Sequence, residues 1–278
     1  MMKASEFVEK LCLTVKAFVK VMVSSRPQHR PLQRDDLDEL IILANGPSLR
    51  SVLEERGEEL AQRETMCVNF MANTPSFREI RPRYYVLADP HFFSGTSHAD
   101  VASLWRNIAA VSWKMTLMVP ARFYSKAQTL LGDSMVLLTA FNDVGVESFA
   151  WIERFLFNHR LAMPRPRNVL IPSLMLAIWS GAKRIYVAGA DHSWLETIHV
   201  DEENHVVSIQ PHFYADSKAE KQRTTSEYQG YRLHDILYSF YVAFHSYHTV
   251  ARYAGNCGVE IFNSTPGSFI DAFPRKPF

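Results

Sequence analysis

Residues Leu40 to Leu49 read LIILANGPSL. An apolar run stops abruptly on Asn45-Gly46-Pro47-Ser48, and helix-forming residues follow. A continuous apolar run bounded by turn residues is the pattern of a strand buried on both faces, as in a parallel sheet covered by helices. The tetrapeptide serves architecture as a plain turn. It serves function if a ligand sits against its exposed backbone amides. Gly46 permits a tight turn and close approach. Ser48 is placed to cap the following helix, whose N-terminus attracts phosphate.

Outward from this stretch the same alternation repeats. Strands are predicted over Leu40–Ala44, Met66–Phe70, Tyr84–Ala88, Met115–Val119, Met135–Thr139, Arg184–Ala188 and Val259–Phe262. Helical spacing fills Leu49–Arg63, His98–Ile108, Val146–Asn158, Pro172–Ser180 and Tyr228–Ala254. Strands alternating with helices predict an α/β fold, a mostly parallel sheet flanked by helices on both faces. No internal repeat is visible. Residues 1–34 read as an N-terminal helix and linker, and 35–278 as a single Rossmann-like domain. One stretch breaks the rhythm: about 192–227 is polar, aperiodic and punctuated by Trp194, Phe213 and Tyr214. A long irregular segment in a compact domain is a functional loop, a small subdomain or disorder; a lid over a site is the preferred reading.

Composition narrows the function. The 278 residues carry 30 basic and 29 acidic side chains, which gives no reason to expect nucleic-acid binding. Cys12, Cys67 and Cys257 are scattered without a CxxC pair, so a disulfide framework or structural zinc site is not expected and a reducing cytosol fits. Phe7 to Val23 contains Glu9, Lys10, Lys16 and Lys20, too many charges for a membrane span. Val8, Leu11, Cys12, Val15, Phe18, Val19 and Met22 recur at helical spacing. That stripe packs on its own domain or on a partner subunit. The second reading lays residues 3–23 on the inner face of a membrane, since lysines flank the stripe.

In an open α/β sheet, ligands bind outside the carboxyl ends of the strands. Four predicted strands end in polar residues: Asn45-Gly46-Pro47-Ser48, Asn69, Asp89-Pro90, and Gly189 with Asp191. Each alone is most simply a turn or cap; together on one edge they predict a site. NGPSL lacks the later glycines of the dinucleotide fingerprint, and no GK[ST] follows to make a P-loop. Asp36-Leu37-Asp38 has the DxD form of metal-dependent glycosyltransferases but precedes the first strand, where a solvated helix cap is expected. No His, Asp and Glu set has metal-ligand spacing, so the site is expected to work without a metal.

The motifs LANGPSL, CVNF, LADPHFF, GAKRIYVAGAD and HFYADSK, in that order from Leu40 to about Ser217, resemble the bacterial sialyltransferases of glycosyltransferase family 42. They also resemble the broader superfamily of motility-accessory glycosyltransferases and archaeal-type hydroxymethyl-dihydropterin pyrophosphokinases. The resemblance implies a GT-A variant of the Rossmann-like fold and a CMP-sugar donor, with Asn45 to Leu49 and Asn69 at the nucleotide. Asp89-Pro90 stands where the family has Asn-Pro, and Gly189 to Asp191 matches its G-x-D, where the lid begins. The family's arginine and Ser/Thr before the next helix fall near Arg167 and Asn168. Ser193 occupies the place of a tyrosine that meets the leaving phosphate, and Tyr214 and Lys218 lie on the same lid. The family's H-x-x-x-H-S-K becomes His212-Phe213-Tyr214-Ala215-Asp216-Ser217-Lys218, with Asp216 at the position of the catalytic histidine. Either Asp216 or His212 activates the acceptor hydroxyl; His192 and Asp191 are next in line should this loop not carry the base. The Ser48 amides, Arg167 and Lys218 are the donors expected at the leaving phosphate. The implied function is glycosyl transfer from a nucleotide-sugar to a glycan or glycolipid in bacterial surface-polysaccharide or lipooligosaccharide synthesis. The competing readings are a diphosphotransferase of the pterin pyrophosphokinase kind and a non-catalytic nucleotide binder.

Overall fold

The computed structural model describes residues 3–26, 32, 34–207 and 230–278. The strands are β1 (Glu39–Leu43), β2 (Thr65–Val68), β3 (Tyr84–Val86), β4 (Thr116–Pro120), β5 (Leu137–Phe141), β6 (Arg184–Ala188), β7 (His199–Val200), β8 (Val206–Val207) and β9 (Glu260–Asn263). Seven of them form one all-parallel sheet in the order β5-β4-β3-β2-β1-β6-β9. The helices are α1 (Ala4–Ser24), α2 (Leu49–Leu60), α3 (Ser76–Ile80), α4 (His91–Ser94), α5 (Ala99–Ala109), α6 (Tyr124–Leu131), α7 (Ala150–Asn158), α8 (Leu170–Trp179) and α9 (Leu233–Asn256). The fold is α/β and Rossmann-like.

Side-chain alternation along β1 shows why both faces are covered. Leu40 and Ile42 join a core with Leu156, Leu174 and Val250 from α7, α8 and α9. Ile41 and Leu43 point the other way, into a core with Leu60, Leu104 and Ile108 from α2 and α5. The chain steps outward from β1 to β5 and then returns to lay β6 against the other side of β1, with Leu43 opposite Ala188. The strand order therefore reverses between β1 and β6, where an open sheet leaves a crevice at its carboxyl edge.

Several boundaries differ from the sequence reading. β2 ends at Val68, and Asn69 starts a short 3₁₀ turn. β5 ends at Phe141, two residues later than expected, because Ala140 and Phe141 are buried while Met135 is 67% exposed. This shift puts Asn142 and Asp143 at a strand's carboxyl end. α7 begins at Ala150 and not Val146. The Val146 amide donates to the Met163 carbonyl and the Ser148 amide to Glu153 Oε1, so this stretch stays extended. Asp36-Leu37-Asp38 caps no helix; Asp36 and Asp38 pair with Arg34 and Lys183 in solvent.

α1 lies on the domain with an unexpected face. It buries Thr14 and Ala17 and is fastened by Thr14 Oγ1 against Ser148 Oγ at 2.7 Å and by Lys10 Nζ donating to the Ser148 carbonyl at 3.1 Å. The apolar stripe points away from the domain, so it does not do the packing expected of it within this chain. No described helix is long and apolar enough to cross a membrane. Within the expected lid, Ser193–Thr197 is a 3₁₀ turn and β7 pairs with β8 in an antiparallel hairpin. His212, Tyr214, Asp216 and Lys218 lie outside the described residues.

Candidate active site

A cleft of about 440 Å³ opens at the carboxyl edge of the sheet, over the reversal between β1 and β6. That is the size of a small-ligand pocket. It collects Asn45, Gly46, Pro47, Asn69, Asp89, Pro90, Arg167, Asn168, Gly189, Asp191 and Ser193 from five separate chain segments. Ser48 does not line it.

The floor is made where the β1 and β6 turns touch. The Gly46 amide donates to the Gly189 carbonyl at 2.7 Å. A Cβ on Gly46 would stand 1.9 Å from Asp191 Oδ2, so only glycine allows this approach. Gly189 has φ +71°, and a Cβ there would meet Leu49 Cβ at 2.7 Å. Ser48 does not cap α2 with its own side chain. Its hydroxyl donates to Asp191 Oδ2 at 2.8 Å, and its amide lies 3.3 Å from both Asp191 oxygens. A carboxylate thus already holds the N-terminus of α2. A phosphate placed there would face that negative charge.

Asn45 and Asn69 stand on either side of this floor. Asn45 is buried, and the Oδ1 atoms of both residues are buried with no hydrogen-bond partner among the described residues. Asn69 adopts φ +50°, a left-handed conformation that asparagine tolerates better than most residues. Tyr85, buried on β3, holds that turn: its hydroxyl donates to the Asn69 carbonyl at 2.5 Å and accepts from the Ala72 amide at 2.8 Å. Both residues line the cleft, and an unpaired buried acceptor is costly.

One wall is a hydrogen-bonded chain. Asn168 Oδ1 accepts the Leu170 and Ile171 amides at 3.1 and 3.3 Å, which caps α8. Asn168 Nδ2 donates to Tyr247 Oη at 2.9 Å. The tyrosine hydroxyl lies 2.6 Å from His192 Nε2, closer than the 3.1 Å to Asn168 Oδ1, so we assign its proton to the histidine. The neutral imidazole then carries its own proton on Nδ1. Burial beside Trp194, Phe244 and Tyr247 pushes the His192 pKa down to about 3, and His192 itself sits at φ +55°. Burial likewise pushes the Tyr247 hydroxyl up. His192 is therefore a neutral donor and a weak base.

The opposite rim holds residues that sequence reasoning missed. Arg122 follows β4 and pairs with Asp143 beyond β5, Nη2 to Oδ2 at 2.8 Å. Burial raises the Asp143 pKa despite the opposing charge of Arg122 and a backbone hydrogen bond. Ending β5 at Thr139 hid Asp143; following the apolar run to Phe141 would have exposed it. His91 lines the cleft one residue past Asp89-Pro90, with its amide donating to Asp89 Oδ1 at 2.7 Å. Ser239, Phe240 and Ala243 of α9 close the far side. The Arg167 guanidinium faces solvent at the mouth, with no hydrogen bond or ion pair among the described residues. No group of three His, Cys, Asp or Glu suited to a metal occurs among the described residues.

No protein-family model matches the chain, and no curated protein matches it in sequence. Among solved structures it is similar to the MAf glycosyltransferase from Magnetospirillum magneticum AMB-1, with a TM-score of 0.51 and 12% identity. The match covers 93% of this chain and 37% of that one, so the chain spans little more than a third of the neighbour's length. At that identity the likeness speaks to the fold.

Proposed function

We propose that this chain is a glycosyltransferase that takes its sugar from a nucleotide-sugar, a CMP-sugar first among them, and works without a bound metal. The observation that carries the reading is the pair of buried oxygens on Asn45 and Asn69 at neighbouring strand ends, unpartnered among the described residues. Phosphate oxygens only accept hydrogen bonds at neutral pH. Ribose hydroxyls and the exocyclic amine of cytosine donate them, so these two residues suit the nucleoside and not the phosphate. The phosphate then belongs toward the rim, where Arg167 and Arg122 supply cationic donors for charge developing on the leaving group. The fold shared with a glycosyltransferase supports the reaction class.

The acceptor, a glycan or glycolipid hydroxyl, must lose a proton as the new bond forms. Among the described residues Asp143 suits that step best: it lines the cleft, and its desolvated carboxylate is a stronger base than a solvated one. His192 is too weak a base, and Asp191 is engaged by Ser48. His212 and Asp216 keep their place as bases supplied by the 208–229 segment.

A thermal-shift panel of CMP, CDP, UDP, GDP and ATP, each with and without Mg²⁺, tests the reading. A rise with CMP that needs no Mg²⁺ is expected. A rise only with ATP and Mg²⁺ would replace it with diphosphate transfer, and no rise with any nucleotide would end it.

A further inference from the structure

The hydrogen-bonded wall of the cleft ends in an unused donor. Asp191 and His192 are consecutive, yet their side chains serve different partners: the carboxylate meets Ser48 before α2, and the imidazole meets Tyr247 on α9. His192 and Asn168 line the cleft, whereas Tyr247 stands behind them and does not. The Tyr247 hydroxyl accepts from Asn168 Nδ2 at 2.9 Å and sends its own proton to His192 Nε2 at 2.6 Å. The hydrogen bond made at one ring nitrogen decides which nitrogen carries the proton, so His192 is held as the Nδ1–H tautomer. Ring centroids of Trp194 at 4.9 Å, Tyr247 at 5.4 Å and Phe244 at 6.1 Å box the imidazole in. Among the described residues nothing accepts from Nδ1.

We propose that His192 is a phosphate ligand: its Nδ1–H donates to a phosphate oxygen of the bound nucleotide, in the tautomer that Tyr247 imposes. This rests on the reading of the cleft as a nucleotide site. The choice of phosphate follows from what each side of the cleft offers. The groups of Asn45 and Asn69 without partners among the described residues are acceptors, which a phosphate oxygen without a proton cannot satisfy. An N–H without an acceptor is the complement and suits an oxygen that only accepts. His192 also shares its wall with Arg167, the residue before Asn168, so a neutral donor and a cationic one stand on one side of the cleft. Burial keeps the imidazole uncharged. It therefore adds a hydrogen bond that strengthens as charge develops on the phosphate, without adding a second full charge to hold the spent nucleotide back.

Isothermal titration of CMP and of cytidine against the full chain tests the assignment. The side-chain amide of asparagine places its NH₂ near the position of Nδ1, and that of glutamine places it near Nε2. His192→Asn is expected to keep CMP affinity within about threefold, and His192→Gln to lower it about tenfold or more. Cytidine affinity should be the same in both. Tyr247→Phe acts only through the imidazole: nitrogen-15 spectra of histidine-labelled protein should change from the Nδ1–H pattern to a mixture with Nε2–H, and CMP affinity should fall severalfold. A wild-type His192 that carries its proton on Nε2 overturns the proposal before any ligand is added. So does a glutamine variant, folded by circular dichroism, that binds CMP like wild type, and so does one that loses cytidine as much as CMP, which would give the donor to the nucleoside. Should the glutamine variant not fold, a Tyr247→Phe chain with a mixed tautomer and unchanged CMP affinity overturns it equally. A wild-type chain with the Nδ1–H pattern that binds neither CMP nor cytidine fails the nucleotide reading itself, and this assignment falls with it.

Discussion

Replacing Asn45 by alanine separates a ligand-binding asparagine from a structural one. Asn45 is 8% exposed and its side-chain carbonyl oxygen has no partner among the described residues. An unpaired buried acceptor costs about 1–3 kcal/mol, which the free protein carries and a ligand donor would relieve. Asn45→Ala deletes that oxygen together with a little packing. The two terms oppose each other, so stability should move by less than about 1 kcal/mol. CMP affinity, in contrast, should fall by about 1–3 kcal/mol, roughly 5- to 150-fold in Kd. Urea unfolding and isothermal titration with CMP read the two quantities on the same preparation. A structural asparagine shows the reverse pattern. Stability falling by more than about 2 kcal/mol with CMP affinity unchanged would mean that Asn45 holds the turn and not the nucleotide.

Gly46→Ala should cost about 2–3 kcal/mol in urea unfolding and abolish the CMP thermal shift, because its Cβ collides with Asp191 and forces the two floor turns apart. Tyr85→Phe removes the hydroxyl that joins the Asn69 carbonyl to the Ala72 amide; a loss of about 1–2 kcal/mol in stability is expected, and weaker CMP binding with it. Asp143→Asn should lower turnover with the accepted CMP-sugar by about 10²-fold or more while the CMP Kd is kept, and equal turnover would remove Asp143 as base. The pH test turns on His192, whose folded pKa of about 3 lies below the roughly 6.5 of an unfolded histidine. Between those values the unfolded chain holds the proton and the folded chain does not, so the contribution of His192 to stability is whole above pH 6.5 and is lost as pH falls toward 3. Unfolding free energies at pH 7 and pH 5 should differ by on the order of 1 kcal/mol less in His192→Phe than in wild type.

What could be read from the sequence follows from which signals are local. The buried parallel strands announce themselves through short apolar runs such as Leu40–Leu43, and the polar residues just beyond them mark the sheet's carboxyl edge. Asn45, Asn69, Asp89 and Asp191 were all legible in this way, and the cleft gathers all four. Distance in the chain hid the rest. That Asp191 would fill the N-terminus of α2 depends on β6 pairing with β1 across the sheet's reversal, which no local pattern encodes. The network from Asn168 through Tyr247 to His192 joins three remote segments, and Tyr247 sits on a helix face that otherwise reads as core. Asp143 was lost by a two-residue error at the end of β5, which shows how much a site reading depends on where a strand stops. The direction of the α1 stripe was illegible for another reason. Periodicity gives the existence of an apolar face but not what it faces.

The carboxylate of Asp191 seated on the first turn of α2 gives the cleft a direction. In many nucleotide folds the deepest point is the most electropositive, and a ligand enters phosphate first. Here the helix start beside the floor already carries a carboxylate, so on the proposed reading a nucleotide gains most by entering with its uncharged end leading. Its phosphate would then wait at the mouth, beside water. If the proposed reaction occurs, bond cleavage there would create the new charge at the surface, next to arginines that solvent can reach, and the spent nucleotide would depart by the way its charge already points. Such an enzyme would release its product without opening its floor.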